Sequence, residues 1–259
     1  MRTATAGVIE AVFFDLDGTL YSSPALDAAY TESFCRYVAV VRGRQMVLAA
    51  AGRRADAAGS AGATDPARAA AGLAAVLKCF EDNFGVRPPW SMLLSAFGED
   101  IHGWHRAAER EVDPADYLAR DPQLAAALGA IKAGAPLAVE DGARGAPCGE
   151  AAPRPRVLAV VTNNSESQAA RSLQALGVSG LLDFIVSPRG PADLKPFPNM
   201  YRRALRLAAR GPGQCLAVGD RRDVDLAPAA ALGMAIWQAS GAAAIAGLVA
   251  GTSMAGVAG

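Results

Sequence analysis

Val12-Phe13-Phe14-Asp15-Leu16-Asp17-Gly18-Thr19-Leu20 sets two carboxylates directly after an apolar run. The run itself (Val8, Ile9, Ala11, Val12, Phe13, Phe14) shows no polar alternation, the pattern of a strand covered on both faces, as in a parallel sheet. Such a strand ends where polar groups begin. Side chains two apart on an extended chain project to the same side, so Asp15 and Asp17 address one point, while Gly18 lets the backbone turn away sharply. Two unpaired carboxylates that close repel and call for a cation, a shared proton, or both. Asp-Gly after an apolar run is also an ordinary turn signal, so the rest of the chain has to decide between a turn and a site.

Three further stretches supply that context. Val157-Leu158-Ala159-Val160-Val161-Thr162-Asn163-Asn164 reads as a second apolar strand ending in Thr162. Leu194-Lys195-Pro196-Phe197-Pro198-Asn199-Met200-Tyr201 carries Lys195 beside two prolines that stiffen its surroundings, ahead of a helix read from Pro198 to Arg210. Cys215-Leu216-Ala217-Val218-Gly219-Asp220 is another strand, and its acidic loop continues through Asp223 to Asp225. Three of the four stretches lie at strand ends, where ligands of open α/β sheets bind. In order and spacing the four resemble the signatures of the haloacid dehalogenase (HAD) superfamily.

That resemblance implies an α/β fold, a HAD-like Rossmannoid parallel sheet with an inserted α-helical cap domain, and a Mg²⁺-dependent phosphatase chemistry. Hydrolysis of a phosphate monoester needs up to about 10²¹-fold acceleration, whereas one general acid contributes only about 10²–10⁴, so several devices must act together. In the family's scheme Asp15 attacks phosphorus to form an aspartyl-phosphate, and Asp17 protonates the leaving oxygen and then activates water. Those roles require the environments of the two carboxyls to push their pKa values apart. Mg²⁺ would be held by Asp15, the backbone carbonyl of Asp17 and Asp220, with Asp225 supporting the metal loop and holding a metal-bound water. Lys195 and Thr162 would pair with the phosphoryl oxygens, and Asn163 and Tyr21 would join them on the substrate. Asp223 fits the family's second acidic position less well than Asp225. Thr162, Asn163 and Ser165 would each also suit a helix cap.

Tyr21 directly follows Thr19-Leu20, and Asp116-Tyr117-Leu118-Ala119-Arg120-Asp121-Pro122-Gln123-Leu124 precedes the second stretch. Both features resemble the pyrimidine 5′-nucleotidase-like group, which implies a pyrimidine nucleoside 5′-monophosphate as substrate. Sugar-phosphate phosphatase or phosphomutase activity and phosphoglycolate phosphatase activity are the alternatives, since fold alone does not choose the acceptor. A 2-haloacid dehalogenase reading fits less well, because those relatives share the nucleophile but lack the second acid and need no magnesium. A non-catalytic binding protein on the same fold is marked by loss of a motif residue, and none is lost here. Phe197 and Arg221 depart from the family's usual residue types, which bears on substrate rather than on chemistry.

Composition agrees with a soluble enzyme, and the resemblance implies that it acts on a small phosphorylated metabolite. Twenty-five basic against 25 acidic residues leave no field to draw the chain to a nucleic acid polymer or an anionic membrane. Four scattered cysteines (Cys35, Cys79, Cys148, Cys215) without C-x-x-C spacing, and no secretory start, point to reduced thiols in a cytoplasm, and a monomer or homodimer is expected. The final stretch from Ala239 to Gly259 has the length of a membrane span, but its Ala, Gly, Ser and Thr content reads instead as a terminal helix with a loose tail.

The periodicity sets a helical module, 22–119, inside a core, 1–21 with 120–259, and the resemblance implies that the module is a cap. Helical patterns cover Pro24 to Arg42, Pro66 to Phe84, Trp90 to Phe97 and Trp104 to Glu111, broken by an Ala/Gly-rich insertion near 52–64 that reads as flexible. His102 and His105 share a helical spacing, but Gly103 weakens that helix and no third ligand stands near, so they read as cap surface rather than a zinc site. Gly134 to Pro155 exceeds the usual loop length and reads as a surface excursion. Beyond it strands and helices alternate to Trp237, which specifies a parallel sheet with right-handed crossovers.

Overall fold

The computed structural model describes residues 8–52, 82, 89–96, 100–139 and 154–249. The insertion near 52–64, nearly all of the helix read over 66–84, most of the excursion over 134–155 and the tail beyond 249 lie outside the described residues. The chain folds into two compact units, Met1–Ser23 with Pro114–Gly259, and Pro24–Asp113.

Five parallel strands build the first unit: β1 (Ala11–Phe14), β2 (Val157–Val161), β3 (Phe184–Val186), β4 (Cys215–Gly219) and β5 (Ala235–Gln238), in the order β3-β2-β1-β4-β5. All four residues of β1 are fully buried, the outcome that an unbroken apolar run specifies. Large and small side chains alternate across the sheet: Phe13 stands opposite Ala159 on β2 and Ala217 on β4. The room beside it lets the Phe13 ring meet Phe184 at 6.5 Å between centroids. The strand order reverses at β1, so the crevice beyond β1 and β4 is a topological switch point, where open α/β sheets bind ligands.

Among the described residues, five helices of the first unit accompany this sheet: α4 (Pro122–Lys132), α5 (Glu166–Ala175), α6 (Asn199–Ala208), α7 (Ala227–Ala231) and α8 (Gly241–Gly247). The sequence pattern shows no clear helix at α4. Its signals are an Asp121 cap whose carboxylate accepts the Leu124 N–H at 2.9 Å, a proline in the first turn, and buried Leu124, Leu128 and Ile131 at helical spacing. The Ala and Gly between those positions blur the pattern. The segment after β4 also differs from a simple strand-helix alternation. A π-helical turn, Arg222–Leu226, comes first, and α7 starts only at Ala227.

The second unit holds α1 (Pro24–Gly52), α2 (Trp90–Ala96) and α3 (Ile101–Glu111). Helix α1 runs ten residues past the expected end at Arg42, because the Ala-rich segment before Gly52 is made of strong helix formers. Phe34 and Trp104 pack edge to face at 5.5 Å. Asp100 caps α3 by accepting the His102 N–H at 2.9 Å, and the helix continues through Gly103, which a Tyr37 hydroxyl approaches too closely for a Cβ. His105 is buried beside Trp104 rather than on the surface, a correction that follows from its position on the apolar stripe of α3. Among the described residues, the one group of three metal-ligand candidates lies in the first unit and includes neither histidine.

Candidate active site

Asp15 follows the last residue of the central strand, anchored through its N–H to the Val218 carbonyl at 2.8 Å, and is 7% exposed. The chain then closes a tight loop: the Gly18 N–H donates to the Tyr21 carbonyl at 2.8 Å, and Asp17 and Tyr21 form an isolated bridge. Gly18 takes φ +84°, and a Cβ there would stand 2.6 Å from Asp220 Oδ2. Only glycine meets both demands. The loop and the end of β4 therefore touch, which brings Asp220 toward Asp15.

Lys195 is buried between two carboxylates, its Nζ donating to Asp15 Oδ1 at 2.5 Å and to Asp225 Oδ1 at 2.6 Å. Asp225 Oδ2 accepts the Arg221 N–H at 3.1 Å. Asp225 comes that close because Gly219 lacks a side chain: a Cβ there would lie 2.5 Å from the Cβ of Asp225. Carboxylate oxygens of Asp15, Asp220 and Asp225 lie within 4.8 Å of one another. Asp223, in the same loop, turns away to pair with Arg221 at 2.8 Å.

The loop after β2 supplies the other wall. Thr162, 1% exposed, accepts the Asn164 N–H at 3.1 Å on its hydroxyl oxygen, and Ser165 rather than Thr162 caps α5. Asn163 braces the backbone of Lys195: its Oδ1 accepts the Lys195 N–H at 2.8 Å and its Nδ2 donates to the Lys195 carbonyl at 3.2 Å. Asn164 Nδ2 donates to Asp17 Oδ2 at 2.7 Å, and the Tyr21 hydroxyl donates to Asp17 Oδ1. Tyr21 also borders a cavity of about 340 Å³ whose rim includes Ser22, Ser23, Tyr117 and Arg120.

Two contributors escape a reading of the sequence alone. Thr19 is fully buried; its hydroxyl lies 3.0 Å from Asp15 Oδ2 and 3.3 Å from Asp220 Oδ1, and accepts the Asp220 N–H at 3.0 Å. It links Asp15 to the loop after β4, and its one signal is its place beside Gly18 in the opening stretch. Asn164 reads in the sequence only as part of a strand end.

Electrostatics follow from one cation among many anions. Burial, reinforced by Asp225 and Asp17 and only partly offset by Lys195, pushes the Asp15 carboxyl up to about 7. Burial alone would lower Lys195, but Asp15 and Asp225 outweigh it and hold the ammonium protonated well above its usual range. Asp220 is raised as well, by burial first and by Asp225 next. Asp15 and Asp220 are thus the carboxyls whose charged forms burial and their neighbours penalise, and which a cation would relieve. An all-oxygen set of carboxylates this close fits a hard divalent cation such as Mg²⁺.

Residues 9–233 match the model of the haloacid dehalogenase-like hydrolase family. No curated protein sequence matches the chain. Among solved structures, a HAD phosphatase from Thermococcus onnurineus shares 18% identity at a TM-score of 0.52, over 88% of this chain and 84% of that one. CbbY from Rhodobacter sphaeroides, in complex with phosphate, shares 21% at 0.49, over 88% and 85%. L-2-haloacid dehalogenase from Xanthobacter autotrophicus, with chloropropionic acid covalently bound, shares 18% at 0.45, over 89% and 77%. At such identities the likeness to the Thermococcus protein is one of fold.

Proposed function

The chain belongs to the haloacid dehalogenase-like hydrolases, and from that premise we propose that it is a Mg²⁺-dependent phosphatase hydrolysing a small phosphomonoester through an aspartyl-phosphate on Asp15. The observation that carries this reading is the excess of carboxylate around Asp15. Lys195 neutralises one charge, while Asp220 and Asp225 add two within 4.8 Å of it. A dehalogenase nucleophile needs no such surplus; a phosphatase uses it to hold a cation. Asp15 and Asp220, together with the backbone carbonyl of Asp17, are the residues that would hold Mg²⁺, with Asp225 in support. When bound, the ion supplies charge neutralisation between an anionic nucleophile and an anionic substrate.

The protein's own groups then divide the work. Asp15 Oδ attacks phosphorus, and the bond from phosphorus to the leaving oxygen breaks. Asp17, two residues along, gives that oxygen a proton. A water then attacks the aspartyl-phosphate, returns a proton to Asp17, and frees Asp15 and inorganic phosphate. Lys195 and Thr162 stabilise the charge on the transferred oxygens, and Asn163 fixes Lys195 by its two backbone contacts. The helical unit Pro24–Asp113 is assigned the role of a cap that selects the leaving group. A pyrimidine nucleoside 5′-monophosphate is the leading candidate, because the exposed Tyr117 offers a flat surface at the cavity that Tyr21 borders, on which a base can stack.

The test compares kcat/KM for UMP, CMP, AMP, glucose 6-phosphate and phosphoglycolate at fixed Mg²⁺, with and without chelation. Phosphatase activity that vanishes on chelation supports the mechanism. Activity surviving chelation, or halide release from a 2-haloacid, overturns it. A sugar phosphate or phosphoglycolate exceeding UMP by about tenfold, roughly 1.4 kcal/mol, removes the nucleotide and leaves the phosphatase.

A further inference from the structure

Asp17 is gripped from two sides by neutral donors, Tyr21 from its own loop and Asn164 from the loop after β2. We propose that Tyr21 and Asn164 are positioning residues that aim the Asp17 carboxyl at the leaving-group oxygen, an inference that rests on the phosphatase reading. An aspartate beyond the end of a strand has two free torsions, and a misplacement of about 1 Å costs an acid about a hundredfold. Here each carboxylate oxygen has its own partner.

Both partners are themselves held. The Tyr21 carbonyl closes the loop by accepting the Gly18 N–H at 2.8 Å, and the residue is 6% exposed. The Asn164 N–H is tied to Thr162 Oγ1 at 3.1 Å. Asp17 is thereby referenced to the end of β1 and the end of β2 at once, which ties the proton donor to the two loops that carry Asp15 and Thr162.

The donors also differ in what they permit. The Asn164 Nδ2 group can only donate, and it holds Oδ2. A phenol hydroxyl can donate to the carboxylate or accept from the carboxylic acid. Together the two contacts fix the plane of the Asp17 carboxyl and the direction in which it reaches.

The leaving group supplies the test. With Mg²⁺ and the full chain, kcat/KM, which reports the first half-reaction and not the hydrolysis of the shared aspartyl-phosphate, is measured for 4-nitrophenyl phosphate, whose nitrophenolate departs without a proton, and for glycerol 2-phosphate, whose alkoxide does not. Tyr21→Phe and Asn164→Ala should each lose about tenfold more on glycerol 2-phosphate than on 4-nitrophenyl phosphate, within the range of an acid's contribution. Tyr21→Phe keeps the ring and its packing, so it tests the idea even if Asn164→Ala fails to fold. Equal losses on both substrates, or none, overturn the positioning role while leaving the phosphatase in place. A wild-type protein that hydrolyses neither substrate overturns both.

Discussion

Replacing Asp15 by Asn should stabilise the metal-free protein above neutral pH, and by an amount that grows with pH up to a plateau. A carboxyl raised from its usual 3.8 to about 7 favours its protonated form in the fold. Below pH 3.8 both folded and unfolded chains carry the proton, and Asp15 adds no pH dependence. Between that pH and about 7 the unfolded chain ionises first, so stability falls as pH rises, and it levels off above 7. At about 1.36 kcal/mol per pKa unit the plateau penalty is roughly 4 kcal/mol. Asn removes the charge but turns an amide toward the Thr19 hydroxyl and weakens the pairing with Lys195, where a charged hydrogen bond contributes about 2 kcal/mol. A net gain of about 2 kcal/mol remains at pH 8, or roughly 4–8 °C in Tm.

The assay is thermal unfolding of both proteins in chelator from pH 5 to pH 8, repeated with saturating Mg²⁺. In chelator the advantage of Asp15→Asn should be small at pH 5 and reach its plateau near pH 7. With Mg²⁺ it should shrink or reverse, because the ion stabilises only a protein that binds it. A pH-independent difference, or a variant less stable than wild type at pH 8, would refute the account of Asp15 as the seat of uncompensated charge. The same variant should lack turnover, since the nucleophile is gone.

Lys195→Met removes the one cation between Asp15 and Asp225 and should cost about 3–5 kcal/mol by urea unfolding at pH 8, with the deficit narrowing as acid protonates the stranded carboxyls; a loss under about 1 kcal/mol would contradict a charged, paired Lys195. Gly18→Ala forces a side chain at φ +84° into Asp220, so titration calorimetry should find Mg²⁺ binding weakened by about tenfold, roughly 1.4 kcal/mol, and unaltered affinity would separate Asp220 from the metal. Phe13→Ala leaves a hole at the centre of the sheet between Ala159 and Ala217 and should cost about 3–5 kcal/mol; a change below about 1 kcal/mol would mean the sheet collapses around the gap.

The parts of the fold legible in the sequence are those that solvent enforces. An apolar run buried on both faces has to stop where a polar side chain appears, so Asp15, Thr162 and Asp220 mark strand ends by their chemistry alone. Helix limits are less legible where alanine dominates. Alanine packs inside and outside a helix alike, which hides α4 and the far end of α1. The partnerships in the site are not legible, because they join residues far apart in the chain: Asn164 reaches Asp17 across 147 positions and Lys195 reaches Asp15 across 180. Which donor meets which oxygen depends on loop paths set by Gly18 and Gly219, not on residue type.

The same partnerships carry the division of labour that the sequence could only require. Asp15 and Asp17 are the same residue type two positions apart, and no periodicity separates a nucleophile from an acid. Under the proposed scheme, what distinguishes them is the set of groups against each. Asp15 faces an ammonium and the Thr19 hydroxyl, a setting that keeps its oxygens available as an anion once a cation offsets its neighbours. Asp17 faces an amide and a phenol, neutral groups of which one can also accept. The ammonium on Asp15 is a charge as well as a donor, whereas the amide and phenol on Asp17 only hold it in place. Within the first half-reaction, loss of the phenol should therefore slow the departure of poor leaving groups most, whereas loss of the ammonium should slow attack on every substrate alike.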